Sequence, residues 1–214
     1  MSEENRKTDQ ENGEIPAYGW DAITAAFEKL YPGQENPIHF GCLIPWRLGG
    51  PNPLQGVSAY DGGEYFHFVT YGLTDLYEKE GQDPEYSGYG CEFTLKLSKK
   101  GLEDVQAELG GVAGILQSLA KLTFEKGEQF YPNEYIYTGQ TAGVDRAGTS
   151  RLTGFITVMD EAGTIDTPNG KVDFVQLIGA TDAELKAIID KRLSVADLAE
   201  KIGGVTDYTR DSVV

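Results

Sequence analysis

Apolar residues recur at helical spacing near both ends of the chain. From Trp20 to Leu30 they stand three or four positions apart, up to Pro32-Gly33. This spacing places them on one face, which predicts an amphipathic helix that ends at the proline. Near the other end, Thr181-x-x-Glu184 and Ser194-x-x-Asp197 are capping patterns ahead of apolar residues, so two short helices are predicted there.

Between these ends, short apolar runs are divided by glycine and proline turns. The run Gly41–Trp46 leads into a Gly/Pro-rich loop. Three further runs, Gly56–Tyr60, Tyr65–Tyr71 and Gly90–Leu97, have the length and composition of strands. The last of them alternates polar with apolar side chains. We therefore expect one face of the sheet to be covered and the other to be wet.

The second half of the chain mixes the same patterns. Apolar spacing predicts a helix within residues 101–126, chiefly in its second half, because three glycines weaken the pattern before that. Strands are predicted at Glu134–Gly139, Arg151–Asp160 and Val172–Ile178, with a turn at residues 167–170. Helix, strands, helix, strands and terminal helices form an α+β order.

The charge of the chain narrows the classes of partner. It carries 34 acidic and 18 basic side chains, a net charge of −16. Binding to a nucleic-acid duplex draws its affinity from lysine and arginine, so this charge argues against a nucleic-acid partner. A basic protein is the natural electrostatic complement; the simpler alternative is that the charge only keeps the protein soluble.

The N-terminal segment differs from the rest. Residues 1–14 are polar and lack an apolar stretch, so we expect a disordered arm and no signal peptide. Residues 15–214 are expected to form a single domain. No segment approaches the roughly 20 apolar residues that a membrane span needs. We therefore expect a cytoplasmic protein with no membrane partner.

Two histidines and two cysteines limit the chemistry available to the chain. Only His39 and Cys42 are near neighbours, and neither Cys42 nor Cys91 belongs to a Cys-x-x-Cys pair, so no metal site is expected. Nothing local would activate either cysteine as a nucleophile. We expect His39 and His67 to make structural hydrogen bonds and both cysteines to be free thiols. No catalytic residue, metal or cofactor is predicted.

One dense segment, His67–Tyr77, passes from a strand through Gly72 into polar and aromatic residues. Tyrosine is frequent at interfaces because its apolar ring carries a polar tip. The acids Glu78, Glu80 and Asp83 follow in a loop. This strand end is predicted to be a docking rim for a basic or peptide partner. The alternative is a strand end followed by a solvated loop.

Several ordered blocks spread over roughly residues 18–190 carry a resemblance to a known family. They are Pro32-Gly33, His39-Phe40-Gly41, LGGPNPLQGVS (48–58), HFVTYGLTDLY (67–77), SGYGCEFTLKL (87–97), LQSLA (116–120) and the stretch from TPNG (167–170) to QLIG (176–179). In this order they resemble the suppressor-of-fused (SUFU) domain family.

The resemblance implies a mixed, mainly antiparallel sheet flanked by helices, and a non-enzymatic protein-binding function. Animal relatives hold the Gli transcription factors by a short extended peptide, gripped between this domain and a second one. In relatives the grip uses a tyrosine that matches Tyr77 and an acid in the following loop, here most nearly Asp83. His39, His67 and Gly72 fall in the motif blocks, where we expect structural roles.

Short bacterial members that stand alone are similar to immunity proteins, which bind and neutralise a cognate toxin. Many such toxins are basic nucleases, which suits a charge of −16. We therefore expect an immunity protein with a protein or peptide partner. Two alternatives remain: a cytosolic scaffold or regulator that binds a short peptide of a transcription regulator, and a hydrolase. The hydrolase should show a closed pocket with His39 or His67 beside Cys42 or a carboxylate.

Overall fold

The computed structural model describes residues 16–214, and the arm predicted at residues 1–14 lies outside the described residues. The helices are α1 (Tyr18–Leu30), α2 (Val105–Lys126), α3 (Asp182–Ile189) and α4 (Val195–Ile202). The strands are β1 (Ile38–Gly41), β2 (Gly56–Asp61), β3 (Tyr65–Tyr71), β4 (Tyr86–Ser98), β5 (Tyr135–Ile136), β6 (Leu152–Thr167) and β7 (Gly170–Thr181). A short 3-10 turn, Trp46–Leu48, lies between β1 and β2.

These strands form one sheet in the order β1-β2-β3-β4-β7-β6-β5. Neighbours run antiparallel except β4 and β7, which are parallel. The β6–β7 hairpin turns at the predicted position, where Thr167 pairs with Gly170. The prediction of an α+β fold with a mixed, mainly antiparallel sheet is confirmed.

Helices cover both faces of the sheet. On one face, Leu109, Val112 and Leu116 of α2 pack with Phe93 and Leu95 of β4. On the other face, α1 and the α3–α4 pair form two smaller apolar clusters with the sheet. The candidate site lies at one end of this sandwich, where β3 leaves the sheet and β4 enters it.

The expectation of one wet face is wrong. Glu92 and Thr94 of β4 are fully buried, and Lys96 is 9% exposed. These side chains lie on the α1 side of the sheet, because Lys96 pairs in register with His67, whose ring packs on Phe27 of α1. Each has a hydrogen-bond or ion-pair partner. Alternating polarity in this strand therefore marks paired polar groups rather than exposure to water.

Helix α2 is longer than its sequence pattern indicated, since it includes all three glycines. Each glycine costs about 1 kcal/mol relative to alanine inside a helix, whereas a buried Val or Leu side chain contributes about 1.5–3 kcal/mol. Leu109 and Val112 are buried in that first half, which outweighs the glycines. The Asp104 side chain caps the N-terminus, and Gly127 ends the helix in the left-handed region.

Both predicted C-terminal helices are confirmed with their caps, Thr181 for α3 and Ser194 for α4. The chain then returns to the sheet, a course that the sequence did not indicate. There the Thr206 backbone N–H donates to the carbonyl of Lys96 at 2.7 Å, and the Ser98 N–H donates to the carbonyl of Thr206 at 2.9 Å. The tail thus pairs with the end of β4 beyond Leu95, where the pairing with β7 stops.

Of the six predicted strands, only β3 has the predicted bounds; the other five differ in length from those observed. The strand expected at Glu134–Gly139 is reduced to Tyr135–Ile136, at the sheet edge. The strand expected at Arg151–Asp160 continues to Thr167, because its hairpin partner β7 pairs with it up to the turn. Within residues 16–214, no helix combines the length and apolar character that crossing a bilayer requires.

Candidate functional site

A groove of about 390 Å³ opens at the end of β3. Its walls come from four parts of the chain: the loop after β3, the start of β4, the segment between β1 and β2, and the last turn of α2. Representative lining residues are Trp46, Gln55, Leu76, Tyr77, Tyr89 and Phe124. The groove lining therefore combines aromatic rings with polar side chains, which suits recognition of an apolar side chain flanked by polar groups.

Gly72 starts the loop that forms one wall. Its φ of 132° is open to glycine but strained for other residues. A Cβ at this position would also lie 3.0 Å from the backbone nitrogen of Gln55, so the two segments approach closely because no side chain intervenes. The backbone of Leu54, next to Gln55, forms two hydrogen bonds with the Gln117 side chain of α2. The Leu54 N–H donates to Gln117 Oε1, and Gln117 Nε2 donates to the Leu54 carbonyl. The segment Leu54-Gln55 is thus fixed to both the loop after β3 and helix α2.

A buried carboxylate, that of Glu92, lies beneath this loop. Its Oε1 accepts from the Gly72 N–H at 2.9 Å and from both the N–H and the hydroxyl of Thr74, at 3.0 and 2.7 Å. Its Oε2 accepts from the Thr70 hydroxyl at 2.6 Å. Burial raises the pKa of Glu92, and these hydrogen bonds oppose that shift. Four donors on one fixed acceptor hold the backbone of the wall in a single geometry.

The far half of the loop is fixed by Asp75 and Asn169. Asp75 Oδ2 accepts from the N–H groups of Gly81 and Gly88, at 3.1 and 3.0 Å, which closes the loop on itself. The Asn169 side-chain amide donates to the carbonyls of Asp75 and Tyr77, at 2.7 and 2.9 Å. The turn of the β6–β7 hairpin therefore braces the groove from behind.

Three of the four predicted partner-binding residues line this groove: Tyr77, Glu78 and Glu80. The Tyr77 hydroxyl donates to Gln55 Oε1 at 3.0 Å, and its ring is half-buried. Both glutamates are exposed, and the structure gives neither an ion-pair partner among the described residues. Within residues 16–214, the groove thus combines an anchored ring with two glutamates that have no ion-pair partner.

Asp83 is set apart from these three. It lines a second groove, of about 390 Å³, together with Tyr131 and Asp173. Its Oδ1 accepts from the N–H groups of Tyr86 and Glu85, at 3.0 and 2.8 Å, and these bonds lower its pKa. Asp83 therefore shapes the loop, and it faces a partner only if that partner extends past Tyr89, which the two grooves share.

A family model for the Suppressor of fused protein (SUFU) matches residues 50–211, which include this groove. The chain belongs to the Suppressor of fused family. It is 29% identical to the Suppressor of fused homolog of Homo sapiens over 181 residues. That match covers 78% of this chain and 36% of the human protein, so the SUFU-family chain described here spans about a third of its curated relative.

Solved structures show the same fold. The SUFU-family domain superposes on a chain of the Sufu-Fu complex with a TM-score of 0.78, at 28% identity, over 92% of each chain. Drosophila Suppressor of Fused gives a TM-score of 0.79 at 28% identity, over 92% of this chain and 51% of that one. A SUFU homolog from Neisseria gonorrhoeae gives 0.56 at 15% identity, over 92% and 97%. At least one relative is therefore seen with a protein partner.

The two histidines of the SUFU-family domain lie outside the groove. His67 is fully buried, with Nε2 2.9 Å from Asp160 Oδ2 and Nδ1 2.8 Å from the Tyr31 hydroxyl. Burial alone would raise the pKa of Asp160, but His67 and further donors hold it below its usual range. His39, on β1, has its Nδ1 3.0 Å from the hydroxyl oxygen of Ser58 on β2. Both residues bond groups of neighbouring elements within the domain.

Sequence reasoning missed the residues that build the loop. Glu92 was counted as part of a wet face, and Asn169 only as part of a turn. A signal for Glu92 was available, because a carboxylate in the middle of a strand needs hydrogen-bond donors if that face of the sheet is covered. Its donors, however, lie up to 22 residues away in the chain, at Thr70. No local pattern identifies them.

Proposed function

We propose that this SUFU-family domain is a non-enzymatic binding module, and that it acts as an immunity protein that binds and neutralises a cognate basic toxin. The observation that carries the proposal is that one groove is lined by Tyr77, an anchored and half-buried ring, and by Glu78 and Glu80, which have no ion-pair partner in the part of the chain that the structure describes. A basic partner could place an apolar side chain beside the ring and cations beside the glutamates. The Sufu-Fu complex supports a protein as the class of partner.

The residues that a hydrolase would need are placed differently. His67 and Asp160 form a hydrogen-bonded pair, but both side chains are fully buried and line neither the groove at Tyr77 nor the groove at Asp83. Burial raises the pKa of the Cys91 thiol to about 12, so this cysteine stays protonated and unreactive at neutral pH. Among residues 16–214, no cluster of His, Cys, Asp and Glu has the arrangement of a metal site. These features favour binding over catalysis.

Co-expression tests the immunity function. The product of the adjacent reading frame, as the candidate toxin, is expressed in a host with and without the full chain, and a pulldown measures complex formation. We expect growth to be rescued and the two proteins to co-purify. Rescue without a complex would argue for an enzymatic antidote. A complex formed instead with a transcription regulator, without rescue, would favour the scaffold alternative.

Variants of Tyr77 test the site. Truncating a buried interface tyrosine commonly weakens binding by about 2 kcal/mol or more, so Tyr77→Ala should raise the off-rate about 30-fold or more. Tyr77→Phe loses only the hydroxyl bond to Gln55 and should change it less. Tyr135→Ala, at a residue 44% exposed on the edge strand β5, is the matched control. Equal off-rates for Tyr77→Ala and Tyr135→Ala would place the interface elsewhere.

Salt tests the charges independently. Rim charges act mainly on encounter, over a screening length of about 8 Å at physiological ionic strength. Added salt should therefore lower the on-rate several-fold, and Glu78→Gln with Glu80→Gln should reproduce most of that loss at low salt. An on-rate that salt leaves unchanged would contradict electrostatic steering by this rim.

A further inference from the structure

Three large aliphatic side chains stand exposed in the segment between β1 and β2. Leu43 is 99% exposed, Ile44 53% and Leu48 72%. Single exposed apolar residues are ordinary on protein surfaces, but three within six positions concentrate exposed aliphatic surface on one loop. We call Leu43, Ile44 and Leu48 the aliphatic patch.

The patch is displayed by an ordered loop. The carbonyl of Pro45 accepts from the N–H groups of Leu48 and Gly50, at 2.9 and 3.2 Å. The Cys42 thiol donates to the carbonyl of Ile44 at 3.0 Å. A Cβ on Gly50 would lie 1.8 Å from the Ile44 carbonyl oxygen, so the two sides of the loop are in direct contact. The aliphatic side chains are thus directed outward by a defined backbone.

The loop that carries the patch is also a wall of the groove. Pro45 and Trp46, between the patch residues, line the groove, and the Trp46 ring packs edge-on against Phe124 at 6.0 Å between centroids. The same groove is lined by Glu78 and Glu80, which we call the acidic rim, and by one exposed cation, Arg47, next to Trp46. The groove lining therefore keeps an excess of negative charge, with Asp75, Glu78 and Glu80 against Arg47, and the loop that carries the aliphatic patch borders it.

We propose that the aliphatic patch and the acidic rim together select a partner segment in which apolar and basic residues are combined. Its aliphatic or aromatic side chains would cover Leu43, Ile44 and Leu48, and its lysine or arginine side chains would pair with Glu78 and Glu80. This inference rests on the proposed binding function and adds the chemistry of the segment recognised. Charge complementarity sets the basic part, and burial of aliphatic surface sets the apolar part.

A second copy of this chain is a less fitting occupant. Self-association through the patch would bring two acidic rims and two chains of net charge −16 together. Like charges across an interface oppose association, so a basic segment is the better complement.

Selection from a random-sequence peptide library displayed on phage tests the inference, with the immobilised full chain as bait. We expect the enriched peptides to combine Lys or Arg with Leu, Ile, Phe or Tyr. Synthetic versions should bind at least about tenfold more weakly to the Leu43→Ser, Ile44→Ser, Leu48→Ser triple variant, and similarly to Glu78→Gln with Glu80→Gln. Thermal melts would show that each variant is folded.

The controls are Ile189→Ser and Glu200→Gln, at exposed residues of α3 and α4 that should leave binding unchanged. Peptides that lose affinity for Tyr77→Ala but not for the triple variant would overturn this inference while leaving the proposed site intact. Enriched peptides without basic residues, or no enrichment, would overturn it as well. So would a dimer in light scattering that the triple variant abolishes, because the occupant would then be a second copy.

Discussion

A buried ion pair between Arg210 and Glu184 fixes the C-terminal tail to the start of α3. Arg210 donates from Nη1 to Oε1 at 2.6 Å and from Nη2 to Oε2 at 2.7 Å, and Nη2 also reaches the carbonyl of Gly179 at 2.8 Å. The N–H groups of Thr181 and Val213 complete the shell of Glu184, at 2.8 and 3.0 Å. The Glu184 side chain is fully buried, so these are its hydrogen-bond donors in place of water.

Removing the guanidinium of Arg210 should destabilise the fold more than breaking an exposed ion pair does. Arg210→Met leaves a buried carboxylate without its counter-charge, which destabilises a fold by about 3–5 kcal/mol. At about 2–4 °C per kcal/mol for a chain of this size, Tm should fall by about 6–20 °C. The matched control is Arg151→Met in the same tail contact. Its partner is Asp211, and the two side chains are 70% and 82% exposed, so the loss should stay below about 1 kcal/mol.

The pH dependence gives an independent check. Burial alone would raise the pKa of Glu184, but Arg210 and the backbone donors outweigh it and hold the pKa below its usual range. A carboxyl group with a lowered folded-state pKa contributes stability above its unfolded pKa of about 4.3 and loses it as pH falls through the folded value. The gap between wild type and Arg210→Met should therefore be largest near pH 7 and shrink at acid pH.

Urea unfolding followed by tryptophan fluorescence, at neutral and acid pH, measures both effects. Equal losses for Arg210→Met and Arg151→Met at neutral pH would refute the magnitude. A gap that widens on acidification would refute the assignment to Glu184. A smaller loss in Arg210→Met combined with Glu184→Gln than in Arg210→Met alone would confirm that the unpaired carboxylate is the cause.

Three further changes test other parts of the structure. His67→Gln should lower the free energy of unfolding in urea by breaking buried bonds to Asp160 and Tyr31, yet leave partner binding at low temperature intact; lost binding in a folded variant would make His67 a contact residue. Burial raises the folded-state pKa of Glu92, so wild type should lose stability relative to Glu92→Gln as pH rises through that raised pKa. A stability difference that does not depend on pH would contradict this. Gly72→Ala should lower stability by about 1–3 kcal/mol in thermal melts; no change would show the strain to be absent.

Local periodicity predicted much of the framework. The spacing from Trp20 to Leu30 predicted α1 within a few residues, and the caps Thr181 and Ser194 marked the starts of α3 and α4. These features depend on residues close in sequence, which is why they can be read from a single chain. The family resemblance added the mixed sheet, which periodicity alone does not specify.

The errors share a physical origin in contacts between distant residues. The polar side of β4 looked wet because alternation reports only polarity, yet Thr94 bonds Asp160, which lies 66 residues away. The partner contact predicted for Asp83 stays a prediction; the structure shows that Asp83 lines the other groove, since the loop closes on itself through Asp75. The run Gly41–Trp46 gave no sign that Leu43 would be left exposed.

The buried carboxylates of this domain lie at joints between its elements. Glu92 fixes the loop after β3, Asp160 links β6 through His67 to the end of α1, and Glu184 holds the tail. Buried polar networks add little net stability compared with apolar packing, but they define one geometry because each donor must find its acceptor. At the groove, Glu92 and Asp75 therefore hold the wall before any partner arrives. A wall already ordered loses less conformational entropy on binding, so a partner that contacts Tyr77 and the aliphatic patch as proposed would keep more of its contact energy as affinity.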